Sequence, residues 1–361
     1  MNKRNIIGII TWHYYNNFGS ALQSFALQEA ISKEGYKVEI INYINPTHGS
    51  AIRRLSQILL YFSLGFILKR YRTNFGRFLF SYKYLRKSTI VTDERKLKKL
   101  SERYNTIVCG SDQIWAPNCY NPVYFAMFST SKSRKVSYAA SIGLNNIPED
   151  LIPEYKKHLE DFYMVSVREE EGRLLLKDKC NIESTVVLDP TLLHDSAFYK
   201  RIERKVSCVK GNYLFCYFLN KNHQYKDRVV KYAQKYGLQI VGVSEKTDDD
   251  KWMTKLSDLG ADHFVWLINH AQAVMTDSYH GTIFSLLFRK QFWTFARFSE
   301  NDPICQNSRI RQLQYYFGKN IRVVRQYDGI DESVNINYHD IDHTLNSLRT
   351  ESICFLKKAL K

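Results

Sequence analysis

Short runs of β-branched and aromatic residues alternate with longer amphipathic stretches along most of the chain, and this alternation constrains the fold more than any other feature. Strand, helix and strand in repetition build a parallel sheet covered by helices, because parallel neighbours need a long crossover between them. Strands are expected at Ile6–Thr11, Val38–Asn42, Thr106–Cys109, Lys135–Ala140, Met164–Val167 and Thr185–Leu188, with a helix at Ala21–Glu34. After "LDPTLL" a second series begins, with strands Tyr213–Phe218, Gln239–Val243, Ala273–Met275 and Phe292–Phe295 and helices Asn222–Tyr236 and Gly281–Phe288. A chain of 361 residues exceeds one ordinary core. The pattern therefore predicts an α/β protein of two Rossmann-like domains facing each other across a cleft. Their bounds are expected at 1–200 and 201–340, with 341–361 a C-terminal helix that packs back on the first domain.

Charge is unevenly placed. The net charge is +16, and from Ile40 to Thr92 there are nine basic residues and no Asp or Glu. The longest apolar stretch in that segment, Ile58 to Leu68, is 11 residues and carries Ser63 and Gly65. A membrane span needs about 20 residues, so a transmembrane helix is excluded there. Two readings stay open for this arm, about 47–87. One is a helix lying on an anionic membrane surface; the other is an arm packed on its own domain with its charges solvated. No nucleic-acid motif accompanies the charge, so nucleic acid is not an expected partner. Seven scattered cysteines without a CxxC pair argue against a disulfide framework or a structural zinc site and point to a reducing cytosol. The opening "MNKRNIIGIITWHYY" reads as a first buried strand rather than a signal peptide.

Ligands of parallel α/β sheets bind beyond the C-terminal strand ends, so polar motifs directly after strands are the candidates. After the first strand comes "HYYNNFGS", which opens on His13, with Asn16, Asn17 and Gly19 in a tight turn and Ser20 placed to cap the helix. Free N–H groups at that helix start suit an anion or a ligand oxygen; a plain helix cap is the competing reading. No GxGxxG occurs there, which disfavours a dinucleotide cofactor. "GSDQIW" follows the third strand. Ser111, Asp112 and Gln113 offer hydrogen-bonding groups, and Trp115 offers a face for a sugar. Arg168 of "REEEG" stands where its planar fork can bind an anion, or pair with a neighbouring acid. In "LDPTLL", Pro190 ends a strand and Asp189 caps the turn. In "TDSYHGTIFSLLF", His280 and Gly281 stand where a strand hands over to a helix.

Together, "NNFGSALQSFAL", "GSDQIW", "SYAASIG", "SVREEEG", "LDPTLL", "TDSYHGTIFSLLF" and "SRIRQL" resemble, in order, the polysaccharide pyruvyl transferase family. The resemblance runs from about Ile7 to Arg322. It implies a GT-B-like fold with the donor in the C-terminal half. It also implies transfer of a pyruvyl group from phosphoenolpyruvate onto two sugar hydroxyls as a cyclic ketal, with phosphate released and with no metal or other cofactor. The family associates Arg168 and His280 with donor binding and catalysis. Many members carry Arg two residues before the motif histidine, where this chain has Ser278, so another cation must hold the donor phosphate. Arg309 is the first candidate, with Lys246 and Arg297 behind it.

Ketal formation needs a proton on the methylene carbon of phosphoenolpyruvate, and histidine as a residue type titrates near neutrality. His280, Arg168 and Asp112 are therefore the expected catalytic groups, with Asp112 accepting a proton from an acceptor hydroxyl. Donor binding is expected from Arg168, Ser278, His280, Gly281, Thr282, Arg309 and Lys246. Acceptor binding is expected from His13, Asn17, Gly19, Ser111, Asp112, Gln113 and Trp115. The acceptor is expected to be a saccharide on a polyprenyl diphosphate, made for capsule or exopolysaccharide, with the protein peripheral at the inner face of the plasma membrane. The alternative is a GT-B glycosyltransferase that uses a nucleotide-sugar donor.

Overall fold

The computed structural model describes residues 6–13, 17–44, 75–220, 225–244, 252–299, 302, 305–325, 328–333 and 335–361. The chain divides into two units, Met1–Leu193 with Leu348–Lys361, and His194–Ser347.

Unit 1 is built on parallel strands β1 (Ile6–Ile10), β2 (Lys37–Ile40), β3 (Thr106–Cys109), β4 (Arg134–Ser137), β5 (Ser166–Val167) and β6 (Thr185–Val186). The sheet runs β2-β1-β3-β4, and the β5-β6 pair continues it through bridges Val136–Met164 and Ala140–Val167. The helices are α1 (Phe18–Lys33), α2 (Phe75–Tyr84), α3 (Glu94–Ser101), α4 (Ile152–Leu159) and α5 (Glu170–Cys180). Reading 2-1-3-4-5-6, the strand order reverses between β1 and β3. That reversal marks the ligand crevice in flavodoxin-like sheets.

Unit 2 holds, in chain order, α6 (Ser196–Lys200), β7 (Tyr213–Phe218), α7 (Lys226–Lys235), β8 (Gln239–Ser244), β9 (Thr254–Lys255) and α8 (Ala261–His270). It continues with β10 (Ala273–Thr276), α9 (Tyr279–Leu287), β11 (Gln291–Phe295), α10 (Ser308–Phe317), β12 (Val323–Val324) and the start of α11 (Tyr338–Leu360). Its six parallel strands run β12-β11-β10-β7-β8-β9. Counted within the unit this is 6-5-4-1-2-3, the doubly wound dinucleotide-fold order, and it reverses between β7 and β10.

Packing explains the unit boundaries. Tyr199 of α6 is fully buried and sets its ring 4.8 Å edge-on from Phe284, which draws 194–200 into unit 2. Asp342 pairs with Arg289, and the Tyr338 hydroxyl donates to the Lys290 carbonyl, so the first turns of α11 belong there too. Its last turns pack on unit 1: Ser352 Oγ accepts from Leu188 N, and the Tyr36 hydroxyl donates to the Leu360 carbonyl.

Two helices are enclosed almost all round. α1 buries twelve of its sixteen residues and α9 all nine. Their polar side chains must then find partners inside the protein, since an unpaired buried polar group is costly. This sets the geometry of both strand-end sites. Of the basic arm, residues 45–74 lie outside the described residues. Its last part packs on α1: Phe80 and Tyr84 lie 6.1 and 5.7 Å from Phe25, and Arg86 pairs with Glu29 at 2.9 Å. For 75–87 the packed-arm reading is thus the one the structure supports. Among the described residues, no helix is long and apolar enough to cross a membrane.

Candidate active site

In unit 2 the histidine motif sits at the strand-order reversal. β10 delivers Asp277 beside the end of β7, and its two carboxylate oxygens accept from Leu219 N (2.7 Å) and Asn220 N (3.0 Å). Burial raises the Asp277 pKa to about 6, against the downward pull of those donors and of Arg297. Ser278 is the N-cap of α9. Its Oγ accepts from Gly281 N, and its own N–H donates to Thr276 Oγ1. His280 follows within the first turn, 4% exposed, its ring 5.2 Å from that of Tyr279 at an interplanar angle of 80°. Arg309, at the start of α10, lies 5.7 Å over the same tyrosine ring and donates to Gln306 Oε1.

Three donor-side expectations need correction. Ser278 serves as the helix cap, its Oγ already accepting the Gly281 N–H. Donor binding by Gly281 and Thr282 at the start of α9 would require N–H groups open to a phosphate. The Gly281 N–H is instead held by Ser278 Oγ and the Thr282 N–H by the Ser278 carbonyl. The Thr282 hydroxyl is fully buried, bonded to Ser278 O and Thr294 Oγ1. Gly281 is required by packing: a Cβ there would lie 2.4 Å from Thr276 Oγ1. Lys246 lies outside the described residues.

In unit 1 a polar cluster fills the reversal between β1 and β3. Ser20 Oγ donates to Asp112 Oδ2 at 2.5 Å, and Gln113 N donates to Asp112 Oδ1. Gln23 spans the two strand ends, donating to Thr11 Oγ1 and accepting from Ser111 N. Asp112 has φ +76, a left-handed conformation that a non-glycine residue holds only when its surroundings fix it. Gly110 precedes it at φ +124, where a Cβ would lie 2.2 Å from the Tyr138 carbonyl oxygen. Gln113 is partly exposed, and its Nε2 has no hydrogen-bond partner among the described residues.

The other acceptor-side residues serve the scaffold. Trp115 is fully buried, stacked 5.3 Å from Phe125 with Nε1 donating to the Tyr124 carbonyl, so it has no face for a sugar. Ser111 is fully buried and donates to the Ala139 carbonyl. Asn17, not Ser20, is the N-cap of α1, accepting from Gly19 N; Gly19 is inside the helix rather than in a tight turn. His13 is enclosed between the Thr11 carbonyl and Asn42, and burial pushes its pKa down to about 4. Both ring nitrogens face acceptor oxygens, Nδ1 the Thr11 carbonyl and Nε2 the Asn42 Oδ1, and a neutral ring, with one N–H, donates to one of them at a time.

Arg168 is likewise corrected. It is 2% exposed, and Nη1 lies 2.7 Å from Asp189 Oδ2 inside unit 1, with Glu169 at 3.7 Å. The ion pair with a neighbouring acid has formed in place of an open fork. Asp189 also caps its own turn, accepting from Thr191 N. Glu169 gathers the "SYAASIG" turn by accepting from Ser141 Oγ and Gly143 N.

Residues 17–299 match the family model described as polysaccharide pyruvyl transferase. The chain belongs to the polysaccharide pyruvyl transferase family. No curated protein matches this pyruvyl transferase family member. Among solved structures it is similar to the UDP-GlcNAc 2-epimerase of Neisseria meningitidis bound to UDP-GlcNAc. The TM-score is 0.53 at 10% identity, over 99% of this chain and 94% of that one. It is also similar to the UDP-GlcNAc 2-epimerase of Methanocaldococcus jannaschii (TM-score 0.49, 12% identity, 94% and 91% covered) and to an E. coli heptosyltransferase with ADP-2-deoxy-2-fluoro heptose (0.43, 9%, 95% and 99%). The first likeness carries the fold: two Rossmann-like units of the GT-B type, as the sequence predicts.

The pyruvyl transferase motifs thus gather in two groups, Ser20, Asp112 and Gln113 on unit 1 and Tyr279 and His280 on unit 2, while Arg309 is engaged by Gln306 and the Tyr279 ring. Sequence reasoning passed over Asp277 and Asn220. Both follow predicted strands, which was the available signal, but Asp277 stood beside a more conspicuous histidine. Among the described residues no group of three or more His, Cys, Asp or Glu is placed to hold a metal ion.

Proposed function

We propose that this pyruvyl transferase moves the three-carbon unit of phosphoenolpyruvate onto two hydroxyls of a saccharide, forming a cyclic ketal and releasing phosphate. The observation that carries the reading is His280, held in the first turn of a buried helix at the strand-order reversal of unit 2, within a family whose members transfer pyruvyl groups. His280 supplies the proton to the methylene carbon. One sugar oxygen bonds to C2, the C2–O bond to phosphate breaks, and the second sugar oxygen bonds to the same carbon. Of the two hydroxyl protons released, one balances the new methyl group and one leaves with phosphate. On unit 1, Asp112, oriented by Ser20, is the group assigned to accept a hydroxyl proton. Arg168 is assigned a positioning role, since opening its buried pair would strand a charge.

For the acceptor we propose a saccharide on a lipid diphosphate, with the basic segment 47–74 meeting the anionic membrane surface during capsule or exopolysaccharide assembly. The supporting observation is the run of basic residues without an acid from Ile40 to Thr92. The dinucleotide-type strand order of unit 2 favours one second reading, a glycosyltransferase with a nucleotide-sugar donor. Thermal shift separates the two, because a ligand of the native state raises the melting temperature by mass action. Phosphoenolpyruvate is expected to stabilise the wild-type protein and UDP- or ADP-sugars are not; the reverse result rejects pyruvyl transfer. His280→Ala is expected to melt as the wild type does and to form no ketal, and substantial turnover by it would remove His280 from its role.

A further inference from the structure

Resting on the pyruvyl-transfer reading, we infer that Arg297 is the cation that takes the donor's phosphate in this chain. Ser278, beside His280, is uncharged and is used as a helix cap, so the charge must come from another element. Arg297 follows β11, on the same sheet edge as Asp277 after β10 and Asn220 after β7. Asn220 ties these three strand ends together. Its backbone N–H donates to Asp277 Oδ2 at 3.0 Å, and its side-chain Nδ2 donates to the Arg297 carbonyl at 3.2 Å.

The Arg297 guanidinium makes no hydrogen bond and no ion pair among the described residues, and its Nε is shielded from solvent. Its Cζ lies 5.1 Å over the ring of Phe298, which gives the fork a shelf. Asp277 is its nearby opposite charge, yet each Asp277 oxygen already accepts a backbone N–H, one from Leu219 and one from Asn220. The two charges attract each other without an ion pair between them. A planar five-donor fork left in this state matches a phosphate dianion. Other arginines of the unit are committed: Arg309 to Gln306 and the Tyr279 ring, Arg322 to Gln291 and the Trp293 ring, and Arg289 to Asp342. Charge accumulates on the phosphate as its bond to C2 breaks, so a cation at Arg297 helps both binding and departure.

The test compares wild type, Arg297→Gln, Arg297→Lys and Arg309→Gln by calorimetry with phosphoenolpyruvate and, separately, with inorganic phosphate. Arg297→Gln is expected to weaken both ligands about tenfold or more. Arg297→Lys, which keeps the charge and guards against misfolding of the neutral variant, is expected to lose less. Arg309→Gln is expected to leave phosphate affinity near that of wild type. Wild-type affinity for both ligands in Arg297→Gln, or a selective loss in Arg309→Gln, overturns the assignment. Inorganic phosphate keeps the two failures apart. If the wild type binds phosphate through Arg297 but ignores phosphoenolpyruvate, the pyruvyl-transfer reading fails while the phosphate site stands.

Discussion

The hydroxyl oxygen of Thr276 occupies the space that a side chain on Gly281 would need. An added Cβ would lie 2.4 Å from it, well inside van der Waals contact. The same oxygen donates its hydrogen to the Tyr217 carbonyl and accepts from Ser278 N, so it cannot move without loosening β7, β10 and the cap of α9 together. Gly281→Ala is therefore expected to destabilise unit 2 by about 1–3 kcal/mol and to displace His280. In a double-mutant cycle, Thr276→Ala with Gly281→Ala is expected to cost less than the sum of the single changes, since the first makes room for the second. Additive melting temperatures would show that the contact is not what fixes the glycine.

His13 makes the stability of unit 1 sensitive to acid. Its folded pKa, about 4, lies below the ordinary histidine value, because burial disfavours the charged ring. The stability it contributes is complete above pH 6.5 and is lost as pH falls through 4, by on the order of 3 kcal/mol. His13→Gln, which cannot charge, is expected to flatten the decline in melting temperature between pH 7 and pH 4.5. A variant that declines as steeply as the wild type places the acid sensitivity elsewhere.

The strand-to-helix handovers were readable because buried β-branched runs and the polar residues after them are local signals. Thr106–Cys109 and Tyr213–Phe218 fall where the sequence places them. What those polar residues bond to was not readable. Trp115 and Ser111 look like ligand groups in one dimension, but "GSDQIW" turns inward against Phe125 and Ala139, and partners 10 to 30 residues away claim them. Arg168 is similar: its competing reading needed Asp189, 21 residues on, to come within 2.7 Å. Enclosure of α1 and α9 also escaped the sequence, since Gln23, Ser24 and Thr282 lend each helix a polar face that only the tertiary network satisfies.

Ser20 and Asp112 are joined by a hydrogen bond across 92 residues of sequence. Ser20→Ala removes the donor without adding volume. It is expected to lower kcat more than the KM for phosphoenolpyruvate, by about tenfold, the cost of one hydrogen bond to a charged group. Equal turnover in Ser20→Ala and wild type would make the pair purely structural.

The packing of 75–87 on α1 defines how the basic arm should be tested. Deleting it to Lys87 would strip Phe80, Tyr84 and Arg86 from Phe25 and Glu29 and destabilise unit 1. Deleting only Ser50–Asn74 spares those contacts. That variant is expected to retain its rate on a water-soluble acceptor and to lose rate on a lipid-linked acceptor in anionic vesicles, with the difference shrinking at high salt. An undiminished rate on vesicles would remove the arm from membrane contact.

The most direct test of the whole account is NMR of the product formed from phosphoenolpyruvate labelled with carbon-13 at C2, incubated in deuterated water with the wild-type protein and a panel of lipid-linked saccharides. The label is expected to become a ketal carbon bonded to two sugar oxygens, with one deuterium on its methyl group and one phosphate released per ketal. Label that remains in phosphoenolpyruvate or leaves as free pyruvate, while the same saccharides accept a sugar from a nucleotide donor, would contradict it.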